Sequence, residues 1–286
     1  MAVPTSDSEK QLAWEARHRT RAGIAAIVGA IGVLAYFALE QVVLRDVPLG
    51  SGLETLVRAA RPGRVENLPS LQIGAWEYFH DKQGLQIIRG VLGLLGFIGL
   101  AWAAGFLAVA TRARNPRFRR WMIYTPIVGG VAYGVGSLVH QVGGVIAIND
   151  LLDGPRTVRQ ATESASGLNL YGGVLQAFAG LVLAVGMIFV SNHAMRVGLL
   201  TKLFGFLGII SGAMLVICAL PVVHAFWLSG LGMLYLGRWP GGDLPAWKTG
   251  KAEPWPVPER PQRRGPRVAS EPAVTPGTRS KRKKRH

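Results

Sequence analysis

An all-α polytopic transmembrane bundle of six spans, with both termini on the inner side, is the fold class this sequence predicts, and three observations carry it. Between Ala22 and Gly237 lie four clear apolar runs and one run of double length, separated by short polar segments. The composition is 49% hydrophobic and 17% charged with a mean hydropathy of +0.27, too apolar for an ordinary soluble domain. The basic residues are sorted. With six crossings and an inner N-terminus, 24 of the 32 lysines and arginines fall on the inner side with only 7 of the 16 acids. Basic segments resist transfer during insertion, so this bias sets orientation.

The elements follow in order. Residues 1–21 predict an inner amphipathic segment, with Ser6 and Glu9 at capping-box spacing and Trp14 near the membrane surface. Span 1 runs from about Ala22 to Leu39, with Ala22, Ala26 and Ala30 forming a stripe of small residues. It follows a polar lead and lacks a convincing cleavage site, so it is expected to be retained. Residues 45–88 form a long outer loop in which Leu53 to Arg61 has an amphipathic pattern ending at Pro62-Gly63, and Trp76, Tyr78 and Phe79 cluster as at a membrane interface.

Span 2 covers about Gly90 to Ala110, with glycines at 90, 93, 96 and 99 whose strip winds around the helix toward more than one neighbour. The segment Arg112 to Arg120 holds five arginines and no acid, the strongest orientation signal in the chain. Span 3 follows from Trp121 to about Ile148, then a turn at Asp153-Gly154-Pro155, then span 4 from Leu170 to Val190. Leu203 to Gly237 is too long for one span. At about 1.5 Å per residue it would reach roughly 52 Å against a hydrocarbon core of about 30 Å, so two short helices joined near Pro221 are expected.

Beyond Gly237 the composition changes. Nine of the 17 prolines lie between Pro240 and Pro276, and the chain finishes in Lys281, Arg282, Lys283, Lys284 and Arg285 before His286. Residues 238–286 therefore predict an inner, Pro-rich, basic tail, disordered apart from its first twenty residues. The terminal cluster is expected to meet the anionic inner leaflet, with nucleic acid the lesser alternative. Trp239, Trp247 and Trp255 suit the headgroup region, or stacking on arginines of the 112–120 loop.

The stretch Gly237-Arg238-Trp239-Pro240-Gly241-Gly242-Asp243-Leu244-Pro245-Ala246-Trp247, after His224-Ala225-Phe226-Trp227-Leu228, resembles the C-terminal end of uncharacterised polytopic membrane proteins of high-GC actinobacteria. More distantly, the spacing of spans is similar to a bacterial multi-span domain of unknown function. This resemblance implies a multi-pass protein of a bacterial plasma membrane and lends no activity.

The chemistry-bearing residues gather at one side. Glu40, Arg89, His140 and Gln141 each fall about 27–31 Å along their helices from the inner ends. Gln176 lies two turns below the outer end of span 4, and His224 begins span 6. Ionisable groups at membrane depth are costly and mark sites or pathways, so these six form a candidate outer ligand pocket, set against the plainer reading of polar residues at helix ends. His140, His224 and Glu40, with His80 and Asp81, are admissible metal ligands but lack helical ligand spacing. No metal, cofactor or catalytic residue is expected. Cys218, the single cysteine, excludes a disulfide framework.

The pairs Gly130-xxx-Gly134 and Gly208-xxx-Gly212 predict close helix packing within the chain, or a face for a homo-oligomer or another membrane protein. The leading functional expectation is a non-enzymatic accessory or scaffold protein. The alternatives are a small-solute or ion transporter with an outward-facing polar pocket, and a membrane-embedded enzyme.

Overall fold

The computed structural model describes residues 6–48, 57, 66, 68–165, 167–217, 220–240 and 242–255. The expected amphipathic pattern at 53–61, Cys218 and the terminal cluster Lys281–Arg285 lie outside the described residues.

Helix α1 (Ser6–Leu44) is continuous for 39 residues. The inner amphipathic segment expected at 1–21 is thus no separate element: from Ser6 onward it is the first half of the first long helix. Nothing between Arg21 and Ala22 breaks the backbone, and Ala22, Ala26 and Ala30 are all buried in one continuous stripe. The short helix α2 (Ile73–Asp81) carries Trp76, Tyr78 and Phe79 and leads into α3 (Gln83–Arg114). Then come α4 (Trp121–Leu152), α5 (Val158–Ala165), α6 (Leu168–Arg196), α7 (Lys202–Ile217), α8 (Pro221–Tyr235) and α9 (Pro245–Thr249). The turn expected at Asp153-Gly154-Pro155 is present, and the described residues contain no strand beyond an isolated bridge between Pro69 and Thr157.

Four helices, α1, α3, α4 and α6, are long and apolar enough to cross a membrane. At 1.5 Å per residue the 29 to 39 residues of each reach about 43–58 Å, against a core of about 30 Å. Their outward faces carry exposed apolar side chains, among them Ile31, Trp102, Val128 and Phe178, the last 69% exposed. Such a belt suits hydrocarbon and not water.

The 35-residue apolar run divides as its length requires. Helix α7 ends at Ile217, and Pro221 opens α8 at the first helical position, where its missing N–H removes no hydrogen bond. Gly208 faces Trp227 and Gly230 faces Phe204, so the two run antiparallel as a hairpin. Each has 16 or 15 residues, about 22–24 Å, shorter than a hydrocarbon core.

Glycine and alanine set the helix order. Gly96 approaches Gly32 and Val33 of α1, and a Cβ at Gly99 would lie 2.7 Å from the Gly29 Cα. Gly90 instead faces Leu138 and Gln141 of α4. The glycine strip of α3 therefore serves two neighbours. Gly130 and Gly134 meet Ala101, Phe97 and Leu94 of α3, and Gly208 and Gly212 meet Ser191, Ala184 and Met187 of α6. These pairs are thus used in packing within the chain. Successive contacts run α1–α3–α4–α6–α7–α8 and back to α1, each pair antiparallel, with α3 the most enclosed of the four long helices.

Candidate functional site: a polar cleft at one end of the bundle

The starts of α1, α4 and α7 share one end of the bundle with the arginines of the 112–120 segment; this is the basic end. At the other end, α2 packs on α3 and α4, and α5 packs on α4. There a cavity of about 480 Å³ opens between α1, α2, α3, α4 and α6.

Antiparallel packing builds it. Tyr36 and Glu40 stand one turn apart on α1, and Gln86 and Arg89 face them from the start of α3. Helix α4 contributes Tyr133, His140, Gln141 and Gly144, and α6 contributes Asn169 and Gln176. Glu40 and Arg89 form an ion pair at 2.9 Å, with side chains 27% and 12% exposed. The Arg89 guanidinium lies 4.7 Å from the Tyr36 ring centre and donates to the Tyr36 hydroxyl at 3.4 Å. His140 Nδ1–H donates to the Asn169 carbonyl oxygen at 3.0 Å, fixing the ring against α6. Tyr133 lies near the midpoint of α4, so the cavity runs from the helix ends to about the middle of the bundle.

Two buried polar atoms in its wall have no protein partner, Arg89 Nε and Asn169 Oδ1. Ser137 Oγ, fully buried and also unpartnered, sits one turn from Tyr133 and faces Gly93 and Tyr36. Native proteins pair most such groups, so this wall holds a donor and an acceptor with unused hydrogen-bonding capacity, as do Arg19 Nε and His224 Nε2 elsewhere.

The structure brings together five of the six expected residues: Glu40, Arg89, His140, Gln141 and Gln176. His224 is not among them. It is buried on α8, where its Nδ1–H donates to the Leu220 carbonyl at 2.9 Å, and α8 packs against α1 and α7 away from the cleft. The helix that closes the cavity is α6. Sequence reading missed Tyr36, Tyr133 and Asn169. A signal for the first two existed: Tyr36 and Glu40 have i, i+4 spacing, as do Tyr133, Ser137 and Gln141, which puts each set on one helix face. His80 accompanies Asn149 at 2.9 Å, outside the cavity lining. Among the described residues no three His, Cys, Asp or Glu side chains converge in a way that could hold a metal.

At the basic end a cavity of about 440 Å³, lined by Asp7, Gln11, Arg114 and Lys251 among others, lies beside a network of ion pairs. Arg114 pairs with Glu15 at 2.5 and 3.0 Å and also donates to the carbonyl oxygens of Ala110 and Ala246. Arg19 pairs with Asp243 and donates to Leu234 O at 2.7 Å. These bonds hold the segment carrying α9 under the bundle. Trp247 inserts there, stacking on Phe106, lying 5.5 Å from the Arg114 guanidinium and donating from Nε1 to Leu199 O at 3.0 Å. Of the two placements expected for this tryptophan, stacking on an arginine of the 112–120 segment is the one observed. Trp239 packs instead on Phe204.

Compared with protein-family models, curated proteins and solved structures, the chain matches none.

Proposed function

We propose that this chain is a six-span protein of a bacterial plasma membrane, both termini inside, that carries a small polar solute and is seen with its binding cleft facing outward. One observation carries this reading: a polar cavity reaches from one end of the bundle to Tyr133 near its middle, while the cavity of about 440 Å³ at the other end is lined only by residues of the helix ends, such as Gln11, Arg114 and Lys251, with Trp247 packed beside them. Carriers bind their solutes near the bilayer midplane and expose the site to one side at a time. The charge bias supports the orientation, since the end away from the cleft is the basic one. The antiparallel α7–α8 hairpin supports a fifth and a sixth crossing that return the chain to that side.

The accessory or scaffold role expected from the sequence drew on the scarcity of polar residues in the spans and on glycine faces open to partners. Five of the six expected polar residues are gathered in one cleft, and the glycine faces are occupied within the chain. Both facts favour solute handling. Among the described residues the cleft shows no nucleophile paired with a neighbouring base, and binding without covalent chemistry is its best reading.

Thermal melting of the purified protein with millimolar glycine, glycerol or potassium chloride tests this. At least one probe should raise the melting temperature of the native chain and leave Arg89→Gln unmoved. No shift with any probe, or equal shifts in both proteins, would contradict a polar solute site.

A further inference from the structure

The cleft has an annex. A second cavity of about 210 Å³ lies beneath α2 and α5 and shares Phe79, Gly144, Ile148 and Asn169 with the first. It carries no charged side chain among the described residues: Trp76, Leu151, Ala147 and Ala161 line it together with one hydroxyl, Ser164. The chamber that holds the Glu40–Arg89 pair and this uncharged annex therefore meet at Asn169, whose buried Oδ1 has no partner.

We infer that the ligand is a zwitterion bearing an apolar side chain, with its two charged groups in the Glu40–Arg89 chamber and its hydrocarbon in the Trp76 annex. This rests on the solute-binding reading and adds the ligand's chemical class.

Charge is the first ground. Among the described residues lining either cavity, Glu40 is the single carboxylate and Arg89 the single permanent cation, and they neutralise each other. A ligand with one charge would leave an uncompensated charge in a partly desolvated site, which is unfavourable at membrane depth. A zwitterion leaves the sum at zero. Its carboxylate can take the unused Arg89 Nε–H, and its ammonium can donate to Glu40 and to Asn169 Oδ1. Both orphan atoms of the wall are then satisfied with the correct polarity, a donor by an acceptor and an acceptor by a donor.

Shape is the second ground. The annex joins the chamber at the orphan acceptor, so a side chain leaving the carbon that bears the ammonium has a direct route toward Trp76 and Leu151. Each buried methylene strengthens binding roughly fourfold, so a branched four-carbon side chain should be recognised over a hydrogen by well over an order of magnitude.

Four probes separate these grounds: L-leucine, glycine, isoamylamine (leucine without its carboxylate) and 4-methylpentanoate (leucine without its ammonium). Calorimetric titration of the full chain in detergent should give leucine at least about tenfold tighter binding than each of the other three. Ala161→Phe, which fills the annex, should reduce leucine to the affinity of glycine and leave glycine unchanged. Trp76→Ala, which removes the annex wall, should also weaken leucine selectively. Equal binding of leucine and glycine would overturn the apolar side chain, and equal binding of leucine and either single-charge analogue would overturn the zwitterion. In both cases a polar solute site would still stand. Silence of all four probes would overturn the ligand class, and the broader solute reading would fall with it only if glycerol and potassium chloride also leave the melting temperature unmoved.

Discussion

Glu15 and Arg114 face each other across the α1–α3 seam through two hydrogen bonds, with side chains 3% and 0% exposed. Glu40 and Arg89 repeat the arrangement on the same two helices. The members of the two pairs stand twenty-five positions apart on each helix, roughly 37 Å along the axis, slightly more than a hydrocarbon core of about 30 Å. The antiparallel seam is therefore pinned by opposite charges at two levels spaced about as far apart as the faces of a hydrocarbon core. The pin at the basic end is the drier one, and it also holds the segment that carries α9.

Loss of one partner of the drier pair leaves an uncompensated buried charge. Glu15→Gln and Arg114→Gln should each destabilise the fold by about 3–5 kcal/mol. Arg114→Gln should also release the α9 segment, because Arg114 is the donor to Ala246 O. Chemical unfolding in micelles, followed by limited proteolysis after residue 238, reads both effects. Unchanged stability in both variants would remove this pin from the account.

The Glu40–Arg89 pair should be coupled but weaker, since Glu40 retains 27% of its side-chain exposure. A double-mutant cycle with Glu40→Gln and Arg89→Gln should return an interaction of about 1–2 kcal/mol, above the 0–1 of surface pairs and below the buried case. Single effects that simply add would show the two residues to be independent.

Two glycines on α3 should respond with opposite sign. A Cβ at Gly99 would lie 2.7 and 2.8 Å from Gly29 backbone atoms, so Gly99→Ala must push α1 from α3 and should destabilise by about 1–3 kcal/mol. A Cβ at Gly84 meets nothing within 4 Å, and Gly84→Ala should stabilise by about 0.5 kcal/mol through the unfolded chain. Melting temperatures of the two variants moving in the same direction would contradict the close α1–α3 approach.

A peptide of residues 260–286, with ten basic residues and one acid, should bind anionic vesicles, ignore zwitterionic ones and dissociate as salt rises. Preference for duplex DNA or RNA over those vesicles at matched charge would contradict an inner-leaflet role for Lys281 to Arg285.

The long helices and the break before Pro221 were legible because hydropathy and a single proline encode them directly. Most of the cleft was legible as well, since Glu40, Arg89, His140 and Gln141 share one depth along their helices. Depth does not specify azimuth, however. His224 has a suitable place along its helix but turns toward α7, and nothing in its own sequence neighbourhood states which helices flank α8. Glu15 and Arg114 were hidden for a related reason. Arg114 belongs to a run of arginines whose common effect is orientation, and only tertiary packing singles out the one that turns inward. The motif around Asp243 and Trp247 was visible as a pattern, but its docking against the bundle depends on Arg19, some 220 residues away in the chain.

Whether the cleft opens to the outside is tested most directly at Gly144, which lines both cavities and where an added Cβ meets only Asn169 Oδ1, at 3.9 Å. With Cys218→Ala as background, Gly144→Cys should react with a membrane-impermeant thiol reagent in intact cells. Ala113→Cys, exposed at the basic end, should react only after permeabilisation. Labelling of Gly144→Cys only after permeabilisation would place the cleft on the inner side and contradict an outward-facing site.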